Sequence, residues 1–145
     1  MKALIQRVRR ARVVVDRETV GEIGPGLCVL LGIASDDTPE GAAGLARRVA
    51  ALRIFENEAG KLDRSLVDMG GAALVVSQFT LVADTRKGNR PSFSGAARPE
   101  LATALYELFC DELRRTGTTV ATGTFGARML VEIENEGPVT IMLET

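Results

Sequence analysis

Histidine is absent from this 145-residue sequence, and that omission excludes more chemistry than any other compositional fact. Without an imidazole there is no Ser-His or Cys-His nucleophile. A zinc site lacking both histidine and paired cysteines would rest on carboxylates alone, so neither a metal nor a cofactor is expected. Tryptophan is missing too. The two cysteines, Cys28 in Gly26-Leu27-Cys28-Val29-Leu30-Leu31 and Cys110 in Leu108-Phe109-Cys110, lie far apart within apolar runs, where buried free thiols are expected. No apolar run is long enough for export or for crossing a bilayer, so a cytoplasmic location without membrane contact is the expectation. Nor is positive charge in surplus: 18 Lys and Arg face 19 Asp and Glu, for a net charge of −1. A nucleic-acid partner would have to be gripped locally, because no global basic field draws it in.

What remains is an ordinary globular composition, 46% apolar and 26% charged. Residues 1–145 are long enough to bury a core and are read as one domain. The N-terminal third alternates with period two, through Leu4, Gln6 and Val8, then Val13-Val14-Val15, Thr19 to Ile23 and Leu27 to Ile33. This predicts four strands, with Asp16-Arg17-Glu18 and Gly24-Pro25-Gly26 as turns. Thr38-Pro39 opens a helix as N-cap and first helical residue, with Leu45, Val49 and Leu52 on one face. Arg98-Pro99-Glu100 opens a second, whose stripe is Leu101, Leu105, Leu108, Phe109 and Leu113. Strands return at 118–122, 129–134 and 139–143. The segments Glu56–Met69 and Ala83–Ala97 show no regular period. The pattern predicts a mixed α/β (α+β) domain of mainly antiparallel sheet with two principal helices packed on it.

The most apolar run, Ala72-Ala73-Leu74-Val75-Val76, ends in the polar tetrad Ser77-Gln78-Phe79-Thr80. A strand leaving a core in this way offers hydroxyls, a carboxamide, an aromatic face and backbone N–H groups on a rigid support. An ordinary strand exit would look the same, since Ser and Thr close many strands by bonding local backbone. As a nucleophile, Thr80 would need a neighbouring base, and only Lys87, Asp84 or an N-terminal amine is on offer. A more economical chemistry holds an ester carbonyl against backbone N–H donors. Arg86, Lys87 and Arg90 cluster on the loop after the tetrad, as a solvated surface or a phosphate grip. Gly137-Pro138 precedes the last strand, where a plain turn is the simplest reading. Arg7 stands within a strand pattern, where the simplest place for it is the solvated face.

In chain order, Ile5-Gln6-Arg7-Val8, the turn Gly21-Glu22-Ile23-Gly24, Arg53-Ile54-Phe55, Gly60-Lys61, Val75-Val76-Ser77-Gln78-Phe79-Thr80-Leu81, Gly88-Asn89-Arg90-Pro91-Ser92-Phe93, Thr124-Phe125-Gly126-Ala127 and Asn135-Glu136-Gly137-Pro138-Val139-Thr140 resemble the D-aminoacyl-tRNA deacylases. The likeness spans essentially the whole chain. It departs at Glu136, where many members carry aspartate, and at Leu62-Asp63, where Met-Asn is frequent.

The resemblance implies a barrel-like homodimer. Gly137-Pro138 of one subunit, its peptide bond cis, would enter the site formed by Ser77, Gln78, Phe79 and Thr80 of the other, with Arg7 holding that turn. It further implies a cofactor-free hydrolase acting on the ester between a D-amino acid, or glycine, and the terminal adenosine of tRNA. L-esters would be rejected by clash with the turn's carbonyls. Arg86, Lys87 and Arg90 become candidate tRNA contacts. Two rivals stand beside this reading: an RNA-binding module without turnover, and an acyl hydrolase with Thr80 as a true nucleophile.

Overall fold

β1 runs without interruption from Lys2 to Val15. A computed structural model, which describes residues 1–145, shows why the sequence pattern breaks where the strand does not. Pairing with the C-terminal strand slips at Arg7 and again at Arg9. The apolar alternation changes step at each slip. Ile5 therefore joins one core cluster while Val8, Ala11 and Val13 join another. The two strands expected before residue 16 are one bent strand.

β2 (Glu18–Ile23) and β3 (Gly26–Gly32) follow as antiparallel neighbours of β1. The strand expected from Thr19 to Ile23 is β2, and Gly24-Pro25 turns the chain as expected. α1 (Pro39–Ala51) starts as expected, with Thr38 Oγ1 accepting from the Gly41 amide at 3.1 Å. The region 56–69 is more regular than its sequence suggests. It holds the hairpin β4 (Phe55–Glu56) and β5 (Leu62–Arg64), then the single turn α2 (Leu66–Met69), capped reciprocally by Ser65 and Asp68. β6 (Ala72–Ser77) leads into a 3₁₀ turn at Phe79–Val82, and a long loop reaches α3 (Pro99–Arg115). β7 (Thr119–Thr122) precedes β8 (Leu130–Glu144). The two strands expected after residue 128 are this one.

Strand order is β2-β1-β3-β6-β7, with β8 also on β1. β3, β6 and β7 are parallel and the remaining pairs of this sheet antiparallel. The sheet curls until β2 meets β7: a Cβ on Gly21 would sit 2.1 Å from the Thr122 carbonyl oxygen. A glycine at that point lets the curled sheet nearly close. Outside the curl, Leu45 and Val49 of α1 and Leu105, Phe109 and Leu113 of α3 cover Ile5, Val29 and Val75. Inside it, Val8, Cys28, Leu74 and Val76 form the second cluster. β3 and β6, lined on both faces, carry the continuous apolar runs of buried parallel strands. No helix is long and apolar enough to cross a membrane.

Candidate functional site

Where β6 emerges from between these layers, the chain tightens at once. The Gln78 amide still bonds the Leu31 carbonyl of β3 at 2.8 Å, and the Leu81 amide turns back to the Gln78 carbonyl at 3.2 Å. Phe79 and Thr80 thus occupy the first positions of a 3₁₀ turn, where amide N–H groups have no acceptor within the helix. Such N–H groups are suited to an oxyanion or a polarised carbonyl.

Ser77, Gln78 and Phe79 line a cavity of about 520 Å³, within the roughly 300–1,000 Å³ typical of small-molecule sites. Its walls come from three places: Val76 and Ile33 at the strand ends, Ala96, Ala97, Pro99 and Ala102 around the start of α3, and Phe125, Gly126, Ala127 and Met129 between β7 and β8 with Val131 at the start of β8. Ten of its 14 lining residues are hydrophobic, which suits a flat apolar ligand fixed by a few polar groups. Three of the five phenylalanines are exposed here or beside it, Phe79 at 56%, Phe93 at 38% and Phe125 at 36%. Phe93 meets Phe79 edge-on at 5.0 Å between centroids. Below, the buried Tyr106 hydroxyl donates to the Val75 carbonyl at 2.7 Å and its ring leans on Phe125. Burial raises the pKa of Tyr106 far above the ordinary phenol value, so it acts here as a neutral donor.

Thr80 does not line the cavity. Its hydroxyl accepts from Gln78 Nε2 at 2.5 Å. Asp84, one of the bases imagined for it, is engaged elsewhere. Arg86 donates to its carboxylate from Nε at 2.9 Å, Nη2 at 2.6 Å and the backbone amide at 3.0 Å. These bonds hold the Asp84 carboxyl far below the usual range, which makes it a poor base. Both cysteines are free and buried, and desolvation pushes Cys28 up to about 12 and Cys110 to about 11. Neither is a nucleophile at neutral pH.

The second feature lies apart. Gln6 pairs with Thr140 and Val8 with Asn135, so four residues of β8, 136–139, stand opposite Arg7 alone. They are extruded as a protrusion bearing the exposed Gly137-Pro138, whose peptide bond is cis. Arg7 is 6% exposed, which corrects the expectation of a solvated arginine. Its Nε donates to the Glu136 carbonyl at 3.3 Å and its Nη1 to the Ile54 carbonyl at 2.9 Å. Glu56 lies 3.7 Å from its Nη2. Asn135 Nδ2 closes the neck, donating to the carbonyls of Arg7 and Val139 at 3.0 Å each. Within one chain, then, Ser77, Gln78 and Phe79 come together, and so do Arg7, Gly137 and Pro138. Neither Gly137 nor Pro138 lines the cavity of its own chain.

Arg86, Lys87 and Arg90 all lie exposed on the loop after the tetrad. Two groups were missed by sequence reasoning. Phe125 is one: it stands in the motif Thr124-Phe125-Gly126-Ala127 that carries the resemblance, but is given no role, and its signal is a lone aromatic in that turn. The supporting Tyr106 is the other, and it looks like any member of the α3 stripe.

The family model described as D-Tyr-tRNA(Tyr) deacylase matches residues 4–144. A D-aminoacyl-tRNA deacylase of Dehalococcoides mccartyi is 59% identical over 145 residues, covering 100% of this chain and 95% of that one. One from Anaeromyxobacter dehalogenans is 57% identical over 100% of this chain and 97% of its own. Among solved structures, a c-Myc DNA Unwinding Element Binding Protein superposes with a TM-score of 0.94 at 45% identity, covering 100% of this chain and 99% of that one. A probable eukaryotic D-amino acid tRNA deacylase superposes at 0.85 with 22% identity, covering 98% and 97%, and this likeness speaks for the fold. On the full-length family match and these identities, the chain belongs to the D-Tyr-tRNA(Tyr) deacylase family.

Proposed function

We propose that this protein hydrolyses the ester joining a D-amino acid to the terminal adenosine of tRNA, and that glycyl-tRNA is a second substrate. The observation that carries the reading is the apolar cavity at the end of β6. It offers aromatic faces for a base, and the turn beside it presents unbonded N–H groups for the ester carbonyl. Water adds its oxygen to the carbonyl carbon and the bond to the ribose oxygen breaks. One proton of the water ends on that oxygen. The ribose 2′-hydroxyl serves as the group that activates the water, with no protein nucleophile. Asp84 is held ionised by Arg86 and the Thr80 hydroxyl is occupied by Gln78, which favours this route over a Thr80 nucleophile.

Selectivity follows from the protrusion of β8. In a homodimer, Gly137-Pro138 of one protomer enters the cavity of its partner and sets carbonyl oxygens where an L side chain would lie. A D side chain points away, and glycine has none. The reading is supported by a turn that projects from its own chain, does not line its own cavity and is anchored by a buried arginine. Release of free tRNA in the cytoplasm would make the enzyme part of translation quality control.

The test is single-turnover deacylation of one tRNA charged with D-tyrosine, L-tyrosine or glycine, in EDTA. Loss of the D and glycyl esters with the L ester spared is expected. Binding of all three without cleavage would replace the hydrolase with an RNA-binding module.

A further inference from the structure

Beside the apolar cavity lies a second one, of about 500 Å³, with the opposite character: three of its ten lining residues are hydrophobic. One wall is a stripe of α3. Thr103, Glu107, Asp111 and Arg114 all line it, at the i, i+4, i+8 and i+11 spacing that puts side chains on one helix face. The other wall is Thr122 to Phe125, at the end of β7 and just beyond it. The two cavities meet. Phe125 lines both, and Ala102 of the first is followed directly by Thr103 of the second. From Thr103 to Arg114 the groove runs about 16 Å along the helix, at about 1.5 Å per residue. That is several times the roughly 3.4 Å rise of a stacked nucleotide.

Its charge decides what it can hold. Two carboxylates, Glu107 and Asp111, stand with one guanidinium, Arg114, and all three are exposed. A groove of that sign repels phosphate. It accepts hydrogen bonds instead, and the amino group of cytosine is a donor that carboxylates take. The ion pairs of α3 join Glu112 to Arg47 and Arg115, and Asp111 to Arg114, so Glu107 is left without a cation. Arg114 Nη1 donates to Asp111 Oδ1 at 2.8 Å, which leaves Oδ2 as an acceptor beside the remaining guanidinium donors. The edge of cytosine is the complement, an amino donor next to ring acceptors. Uracil carries a carbonyl oxygen where cytosine has the amino group.

On the deacylase reading above, the geometry points to this groove as the subsite for the two cytidines that precede the terminal adenosine of tRNA. Glu107 takes the amino group of the nearer cytosine, and Asp111 with Arg114 takes the edge of the farther one. Phe125, at the junction, offers a stacking surface between consecutive bases. The sugar-phosphate backbone faces solvent. A chain of net charge −1 thus reads the RNA end by its base edges and not by its phosphates.

The test compares kcat/KM for D-tyrosyl esters of three short acceptors: CpCpA, UpUpA and adenosine alone. Wild type should favour CpCpA over UpUpA by about fivefold for each cytosine replaced. In Glu107→Gln/Asp111→Asn that preference should shrink severalfold, because a carboxamide donates to the uracil oxygen as readily as it accepts from the cytosine amine. Both positions are exposed, so Tm should hold. Equal rates on CpCpA and UpUpA overturn the subsite. So does a preference that survives intact in the double variant, or a variant that slows all three esters alike. Should wild type cleave none of the three, binding of labelled, uncharged CpCpA and UpUpA to both proteins decides the subsite by the same ratio. Failure on D-tyrosyl-tRNA itself would overturn the deacylase reading instead.

Discussion

The strand end that carries Ser77 and the protrusion that carries Pro138 are held by opposite kinds of force. β6 leaves a layer in which Ala73, Leu74, Val75 and Val76 are at most 1% exposed, so its position follows from apolar burial spread over many contacts. The β8 protrusion has no such floor. Four residues are extruded against one, and a few polar bonds from Arg7 and Asn135 fix their direction. The first region should fail by losing stability, the second by losing direction while the protein stays folded. On the proposed function, the strand end that meets the substrate would need the first kind of support, while a turn that only sets selectivity could rest on the second.

The largest effect should come from cutting into the floor. Leu74 is fully buried beneath the tetrad, and Leu74→Ala is expected to cost about 2–5 kcal/mol. That lowers Tm by roughly 10 °C, read by thermal unfolding, with the ratio of D to L hydrolysis unchanged in whatever remains folded. A cost below about 1 kcal/mol would show that the strand end does not depend on its burial.

On the other side of the comparison stands Arg7→Lys. Lysine keeps the charge, but a single ammonium cannot reach the carbonyls of both Glu136 and Ile54 in the fork geometry of arginine. Hydrolysis of L-tyrosyl-tRNA should rise at least about tenfold relative to the D ester, the equivalent of about 1.4 kcal/mol of lost discrimination. The fold should persist. If Tm collapses instead, Arg7 belongs with the core and the contrast between the regions disappears. Thr80→Ala sharpens the first region from within. A hydroxyl that only accepts from Gln78 should cost kcat no more than about tenfold, whereas a nucleophile would take essentially all activity with it.

These contrasts also explain what could be read in the sequence. β3, the Thr38-Pro39 cap and the α3 stripe were legible because each is written in local periodicity or in a short capping pattern. The tetrad was legible as a polar end to an apolar run, and the family motifs carried its meaning. Arg7 was not legible as a buried residue, since its partner Glu136 lies 129 positions away. The slips that bend β1 come from pairing with β8, and no window of β1 alone contains them. The cap on α2 escaped because Ser65 is answered by Asp68, where the usual pattern has Glu or Gln. The cavity's far wall, Phe125 to Val131, depends on how α3 and β8 return to the sheet.

The smallest effect tests the loop between the two regions. Asp84 ties the loop after the tetrad by exchanging backbone bonds with Ser92 at 2.8 and 2.9 Å, and by gripping Arg86 with its side chain. Its folded pKa is depressed below the ordinary value of 3.8, first by the hydrogen bonds from Arg86. A depressed carboxylate contributes order above its unfolded pKa and loses it only as pH falls through the lower folded value. Mild acid, between pH 7 and about 5, should therefore leave the loop as it is. Asp84→Asn should loosen it at every pH in that range. Trypsin is the readout, because Arg86 and Lys87 are exposed on this loop, whereas Arg90, followed by Pro91, resists it. Faster cleavage in Asp84→Asn at constant Tm would show a loop held locally and independently of both regions. Equal cleavage rates in the two proteins would mean that Phe93 packing on Phe79, and not the ion pair, holds it in place.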